Sequence, residues 1–270
     1  MLAHLLGRHL EEPSQQNIIA SGHLATLHRL SDDVVRKLPS DRSYADSARA
    51  IQTEARVYRR LGKYKYIARH FTLTDDYIDL KYEHNGDLQS YLERHCQHHD
   101  HEHEHERQEP VPHGFVTRAA RQAVNAVNYI HRNGVVHADL AARQFLLDDG
   151  MHLRLSDFAG ASLDGSEALV IENATHYLPR DEVSPSSVRT DIFALGSTLY
   201  EIMAGGEKPY GDRSDEEVQE LYRRKEFPSL EFIEDRSWRH IIEGCWRGWY
   251  ASTEDILPDL PAEKRFRFHG

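Results

Sequence analysis

Two carboxylates, Asp139 and Asp157, stand 18 residues apart on either side of a short apolar hairpin, and this restricts the fold more than any other part of the chain. Before it, Phe115 to Asn133 places Ala119, Val124, Val127 and Ile130 at helical spacing and stops at Gly134. A loop follows, His137-Ala138-Asp139-Leu140-Ala141-Ala142-Arg143-Gln144. Phe145-Leu146-Leu147 and Leu153-Arg154-Leu155 then read as strands around the turn Asp148-Asp149-Gly150. The run Ser156-Asp157-Phe158-Ala159-Gly160 closes the unit; alone it would read as a simple turn, because Asp and Gly favour turns.

The first third is strand-rich. Asn17-Ile18-Ile19 and Ala25 to Leu30 flank a turn at Ser21-Gly22, and Val34-Val35-Arg36-Lys37-Leu38 is a third strand ended by Pro39. From Tyr44 to Leu61 there is no Pro or Gly, and Ile51, Ala55, Tyr58 and Leu61 share a helical face. Phe71-Thr72-Leu73 and Tyr77 to Leu80 suit a hairpin across Thr74-Asp75-Asp76. Thr190–Ala204, Glu216–Arg224, Trp238–Trp246 and Ser252–Leu257 read as helices. The pattern predicts an α+β fold with a small sheet-rich lobe on a larger helical one. No repeat and no Pro/Ser linker divides the chain, so residues 1–270 read as one domain.

Charge and cysteine usage narrow the function classes. A net charge of -11 argues against a nucleic-acid binder and against docking on anionic membranes. Two cysteines, Cys96 and Cys245, are too few for a disulfide framework and point to a reducing compartment. No apolar run approaches membrane-spanning length, and Met1 to Leu10, interrupted by His4, Arg8 and His9, does not read as a signal peptide. Cytoplasm or nucleus is the expected location. Between Glu93 and Pro110 alternating His and acid residues lack apolar periodicity and read as a disordered surface insert over 94–110. Imidazole could capture zinc or nickel there.

The loop His137 to Gln144 resembles the protein-kinase catalytic loop, H-R-D-L-x-x-x-N, and four further matches follow the family's order from about Asn17 to Trp246. The resemblance implies a two-lobed kinase fold, with an N-lobe of about 15–82 and a C-lobe of about 86–258. It implies Asp139 as the catalytic base and Arg143 beside it. Lys37 matches the strand lysine that pairs with nucleotide phosphates, and Glu54 the helical glutamate that orients it. Asp157 in the D-F-G-like segment and Gln144 take the metal-ligand positions. Lys81 to Leu88 resembles the interlobe hinge, so Leu80 would be the gatekeeper and Tyr82 part of the adenine site. Leu27, Val35 and Leu146 match the residues that sandwich adenine, and Gly22 the one retained glycine of the phosphate loop. Asp191 to Gly196 resembles the D-x-W-x-x-G opening of the central helix, where the Asp braces the catalytic loop.

The departures are informative. The glycine-rich loop appears as Ala20-Ser21-Gly22-His23-Leu24-Ala25, whose bulk implies weaker nucleotide binding. Gln144 stands for Asn, one methylene longer, which weakens a second metal site. Ala138 stands for the Arg that gathers a phosphorylated activation segment, and Ala159 for the Gly of D-F-G. The A-P-E segment reads Leu178-Pro179-Arg180, and the buried ion pair made there is expected to be lost at both ends. Ala141-Ala142-Arg143 matches many tyrosine kinases. The implied activity is transfer of the γ-phosphoryl group of ATP, with Mg2+ or Mn2+, to a protein hydroxyl. The alternatives are a pseudokinase that binds nucleotide or a regulatory protein partner, and a small-molecule phosphotransferase.

Overall fold

The computed structural model describes residues 17–96, 111–112, 114–181 and 183–262. The insert from residue 97 onward, Met1–Ser14 and the tail charges Lys264, Arg265 and Arg267 lie outside the described residues. Five antiparallel strands form the N-terminal sheet in the order β1-β2-β3-β5-β4. They are β1 Ile18–Ser21, β2 Ala25–Arg29, β3 Val34–Pro39, β4 His70–Leu73 and β5 Ile78–Lys81. Helix α1, Ala45–Leu61, packs Ala50, Ile51, Ala55, Tyr58 and Leu61 against this sheet, the face that its 3.6-residue period predicts.

The second lobe is helical: α2 Leu88–Cys96, α3 Phe115–Arg132, α4 Val188–Met203, α5 Asp215–Arg223 and α6 Arg236–Arg247. Two short pairs, β6 Val135–Val136 with β9 Ser162–Leu163 and β7 Phe145–Leu147 with β8 Leu153–Leu155, carry the loops between α3 and α4. The α+β two-lobed architecture is therefore as expected. No described helix is long and apolar enough to cross a membrane.

Helix α2 has no clear signature in the sequence. Its start is set by Asp87, whose carboxylate accepts from the Ser90 backbone N–H at 2.9 Å and from its hydroxyl at 2.7 Å. Leu88 and Leu92, four residues apart, are fully buried. The helix runs to Cys96, so the insert starts later than position 94; His95 and the flanking charges hide the periodicity. At the far end, Thr253–Asp259 is a 3-10 segment containing Pro258 rather than an α-helix, since proline lacks the N–H that an α-helical interior needs.

The lobes meet along a polar seam. Backbone bonds join Ala68 N–H to Leu155 O and Leu155 N–H to Tyr66 O, while Tyr64 stacks on Tyr129 at 3.7 Å. Asp148 gathers Arg154 and the backbone N–H groups of Gly150 and His152, tying the β7–β8 turn beside the hinge.

Candidate active site

Antiparallel pairing decides what faces the cleft. Leu27 and Ile78 flank Lys37, and Leu80 pairs with Val35, so these residues share one face of the sheet through the period-2 alternation. Opposite stand Asp139, Arg143, Gln144, Leu146 and Asp157 from the loops and β7. The cleft they enclose has a volume of about 450 Å³, with Gly22 at its roof. Gly22 does not have a positive φ, and a Cβ there would meet only Ala25 O at 3.6 Å, so its backbone does not require glycine.

Lys37 is the electrostatic centre. Its ammonium lies 2.6 Å from Glu54 Oε2 and 2.5 Å from Asp157 Oδ1. Burial alone would depress this ammonium, but Asp157 and then Glu54 outweigh it and hold its pKa above the usual lysine value. The Lys37 charge in turn holds the Asp157 carboxyl below its ordinary range. Glu54 is fully buried, and burial raises its pKa despite Lys37. Its other oxygen accepts from the Phe158 N–H at 3.3 Å.

These shifts set a pH order. A raised carboxylate costs folding free energy once ionised, and that cost disappears as the pH falls through its folded pKa; a depressed one stabilises until the pH falls below its own folded value. On acidification Glu54 therefore neutralises first, above the ordinary glutamate range, while Asp157 stays ionised. If Lys37 pairs with nucleotide phosphates, as the kinase resemblance implies, nucleotide-induced thermal shifts should begin to weaken at pH values where Asp157 is still charged. Glu54→Gln should flatten that acid limb; an unchanged limb in the variant would assign it elsewhere.

Asp139 sits in a fork. Arg143 Nη2 donates to its Oδ1 at 2.5 Å and Gln144 Nε2 to its Oδ2 at 2.6 Å. Asp191, fully buried at the start of α4, braces the loop from behind. It accepts from the N–H groups of His137 at 2.7 Å and Ala138 at 2.9 Å, with His131 Nε2 at 2.9 Å. Ala138 is at φ 66 and Asp157 at φ 61, both in the left-handed region that side chains disfavour. The Asp191 carboxylate holds the first; the Lys37 pair holds the second.

An aromatic column supports the floor. His70 and Tyr58 lie 5.5 Å apart, Tyr58 and Phe158 5.3 Å, and Phe158 and His137 5.3 Å. It joins β4, α1, the Asp157 turn and the His137–Gln144 loop in one packed unit.

Three placements are not read from the sequence. Tyr82 does not line the cleft: its backbone N–H goes to Asp33 O at 2.8 Å and its ring lies under the Arg29 guanidinium at 3.5 Å. The chain turns away after Leu80 and Lys81, which do line it. The segment Leu178-Pro179-Arg180 makes no ion pair to the later helices among the described residues, as expected, but it carries a different one. Arg180 Nη2 reaches Glu172 Oε2 at 2.8 Å, a pair within one segment, with the Glu172 side chain fully buried. Lastly, Glu201 joins the site without any motif to announce it: its Oε2 accepts from the Ala142 N–H at 2.8 Å and lies 3.3 Å from His176 Nε2. A lone carboxylate in the otherwise uncharged run Ile192 to Met203 is the one signal that points to it.

Arg180→Ala should leave Glu172 buried without its cation and cost about 3–5 kcal/mol. Chemical denaturation would measure it, and Glu172→Gln in the same chain should recover most of the loss. A single variant within about 0.5 kcal/mol of wild type would mean that the pair is solvated.

A sheet lobe and a helical lobe closing on a lysine held between two carboxylates, opposite a loop carboxylate, define a kinase-type fold. A family model described as "Protein tyrosine and serine/threonine kinase" matches residues 16–252, and the chain belongs to that family. Among curated relatives, human 3-phosphoinositide-dependent protein kinase 1 is 25% identical over 209 residues, covering 74% of this chain and 35% of its own. Serine/threonine-protein kinase PLK4 of Drosophila persimilis is 23% identical over 221 residues, 76% and 27% of the two chains. Serine/threonine-protein kinase Nek8 of Danio rerio is 23% identical over 245 residues, 78% and 34%. The chain thus spans about a third of the length of the relatives it matches.

Proposed function

We propose that this chain transfers the γ-phosphoryl group of ATP to a protein hydroxyl. The observation that carries the reading is the Lys37 ammonium, fixed between Glu54 and Asp157 in a cleft that also holds Asp139. Lys37 would neutralise nucleotide phosphates, and Asp139, steered by Arg143 and Gln144, would accept the proton of the incoming hydroxyl. Leu27, Val35, Leu80 and Leu146 give the adenine ring apolar walls.

The donor set fits magnesium used with a nucleotide. Among the described residues no three His, Cys, Asp or Glu side chains gather to hold a metal unaided. The Asp157 side chain is 47% exposed and offers hard oxygen to the cleft. One or two carboxylates completed by substrate phosphates is the usual magnesium arrangement. Asp157 would hold the ion, with the Gln144 amide oxygen as a second ligand. The ion would supply charge neutralisation on the phosphates.

Two of the relatives above are named serine/threonine kinases, whereas Ala141-Ala142-Arg143 resembles tyrosine kinases, so the proposed acceptor is a protein hydroxyl of either kind. A second reading, a nucleotide- or partner-binding pseudokinase, is favoured by His23 and Leu24, which line the cleft where phosphates must approach. Labelled ATP with magnesium or manganese and a generic protein acceptor decides between them, read beside the nucleotide-induced thermal shift. Label transfer supports the kinase; a shift without transfer supports the pseudokinase. No shift with any nucleotide would overturn both the kinase and the nucleotide-binding pseudokinase, leaving only the partner-binding form.

A further inference from the structure

A second, larger cavity of about 670 Å³ lies in the helical lobe, bordered by residues 178–181, the start of α4, the end of α5 and the end of α6. Its floor is aromatic. Phe193 meets Tyr222 edge-on at 4.9 Å, and Phe227 stacks on Trp246 at 5.6 Å with a 9° interplanar angle. Trp249, 51% exposed, stands among the lining residues. The lining carries five cations against one acid, Asp181, in a chain whose net charge is -11.

Those cations are not equally available. Arg180 is committed to Glu172, Arg223 to Glu220, and Arg247 to Glu243. Arg189 and Lys225, both exposed, have no side-chain partner among the described residues. Unpaired cations at the edge of an aromatic cavity form a charge-complementary seat for an acidic ligand. They come from α4 and from the turn after α5, so they suit negative charges spread along a chain. A volume of this size takes more than one side chain.

We propose that this cavity docks an acidic segment of a protein partner that carries an aromatic residue. The ring packs against the exposed Trp249 at the rim, beside the stacked Phe227–Trp246 pair, and flanking carboxylates pair with Arg189 and Lys225. The site is separate from the nucleotide cleft and stands whether or not the chain transfers phosphate.

The test uses the full chain and a fluorescently labelled random copolymer of glutamate and tyrosine, read by anisotropy. Saturable binding that weakens with salt is expected. Arg189→Glu with Lys225→Glu should weaken it about tenfold, equivalent to roughly 1.4 kcal/mol. Both side chains are unpaired and exposed, so the variant should melt with the wild type; if it does not, Arg189→Gln with Lys225→Gln repeats the test without charge reversal. No binding, equal binding by variant and wild type, or equal binding of a lysine–tyrosine copolymer would overturn the proposal. Complete displacement by phenyl phosphate would also overturn it, by assigning the cavity to a phosphate ligand.

Discussion

Asp139→Asn should lower phosphoryl transfer by about 10²- to 10⁴-fold, the usual contribution of a positioned general base. The nucleotide-induced thermal shift should survive, because the substitution leaves Lys37, Glu54 and Asp157 untouched. Asparagine keeps the shape of the side chain but replaces one accepting oxygen with an NH2 group. It can then satisfy only one of the two donors, Arg143 at 2.5 Å and Gln144 at 2.6 Å, and it takes no proton from a hydroxyl. Initial rates with saturating ATP would measure the effect. Transfer within about threefold of wild type would remove Asp139 from the base role.

Lys37→Met should be the most destabilising change in the cleft. Methionine fills similar space, so the loss is electrostatic rather than a cavity. Glu54, with a fully buried side chain, would be left without its cation, at a cost of about 3–5 kcal/mol. That is of order 10 °C in Tm for a chain of this size. Asp157 contributes less because its side chain is 47% exposed and can rehydrate. The penalty should also carry a pH signature. Without Lys37 the Glu54 pKa rises further, so the ionised form bears the cost and the gap between variant and wild type should narrow as the pH falls toward about 5. Adding Glu54→Gln should restore much of the stability but none of the nucleotide response. A Tm gap that does not depend on pH would show that Glu54 is not the orphaned charge.

Local patterns carry much of this architecture. The alternation in β2 and β3 places Leu27, Val35 and Lys37 on one face, and the period of α1 puts Glu54 among buried positions. Where charge masks the pattern, as in α2, the element is hidden, since Leu88 and Leu92 are buried but lie among polar neighbours. Tyr82 departs from its expected place for a different reason: the residues just before it do line the cleft, and Tyr82 itself is held by Arg29, Asp33 and His84. The Arg180–Glu172 pair is not legible in the sequence because the partner lies eight residues upstream, in a segment with neither helical nor strand period.

By itself the sequence determined the inventory and order of the chemistry: a strand lysine, a helical glutamate, a loop aspartate and a turn aspartate, each on or beside an element that local periodicity could name. Tertiary structure alone decided their partnerships. Lys37 and Asp157 are 120 residues apart along the chain and 2.5 Å apart in space. The aromatic column behind them and the aromatic cavity on the other lobe are likewise assembled from separate elements. The physical reason is range. Backbone propensity and amphipathic period act over a few residues, whereas the choice of partner for a buried charge is settled by which elements pack together and exclude water from it.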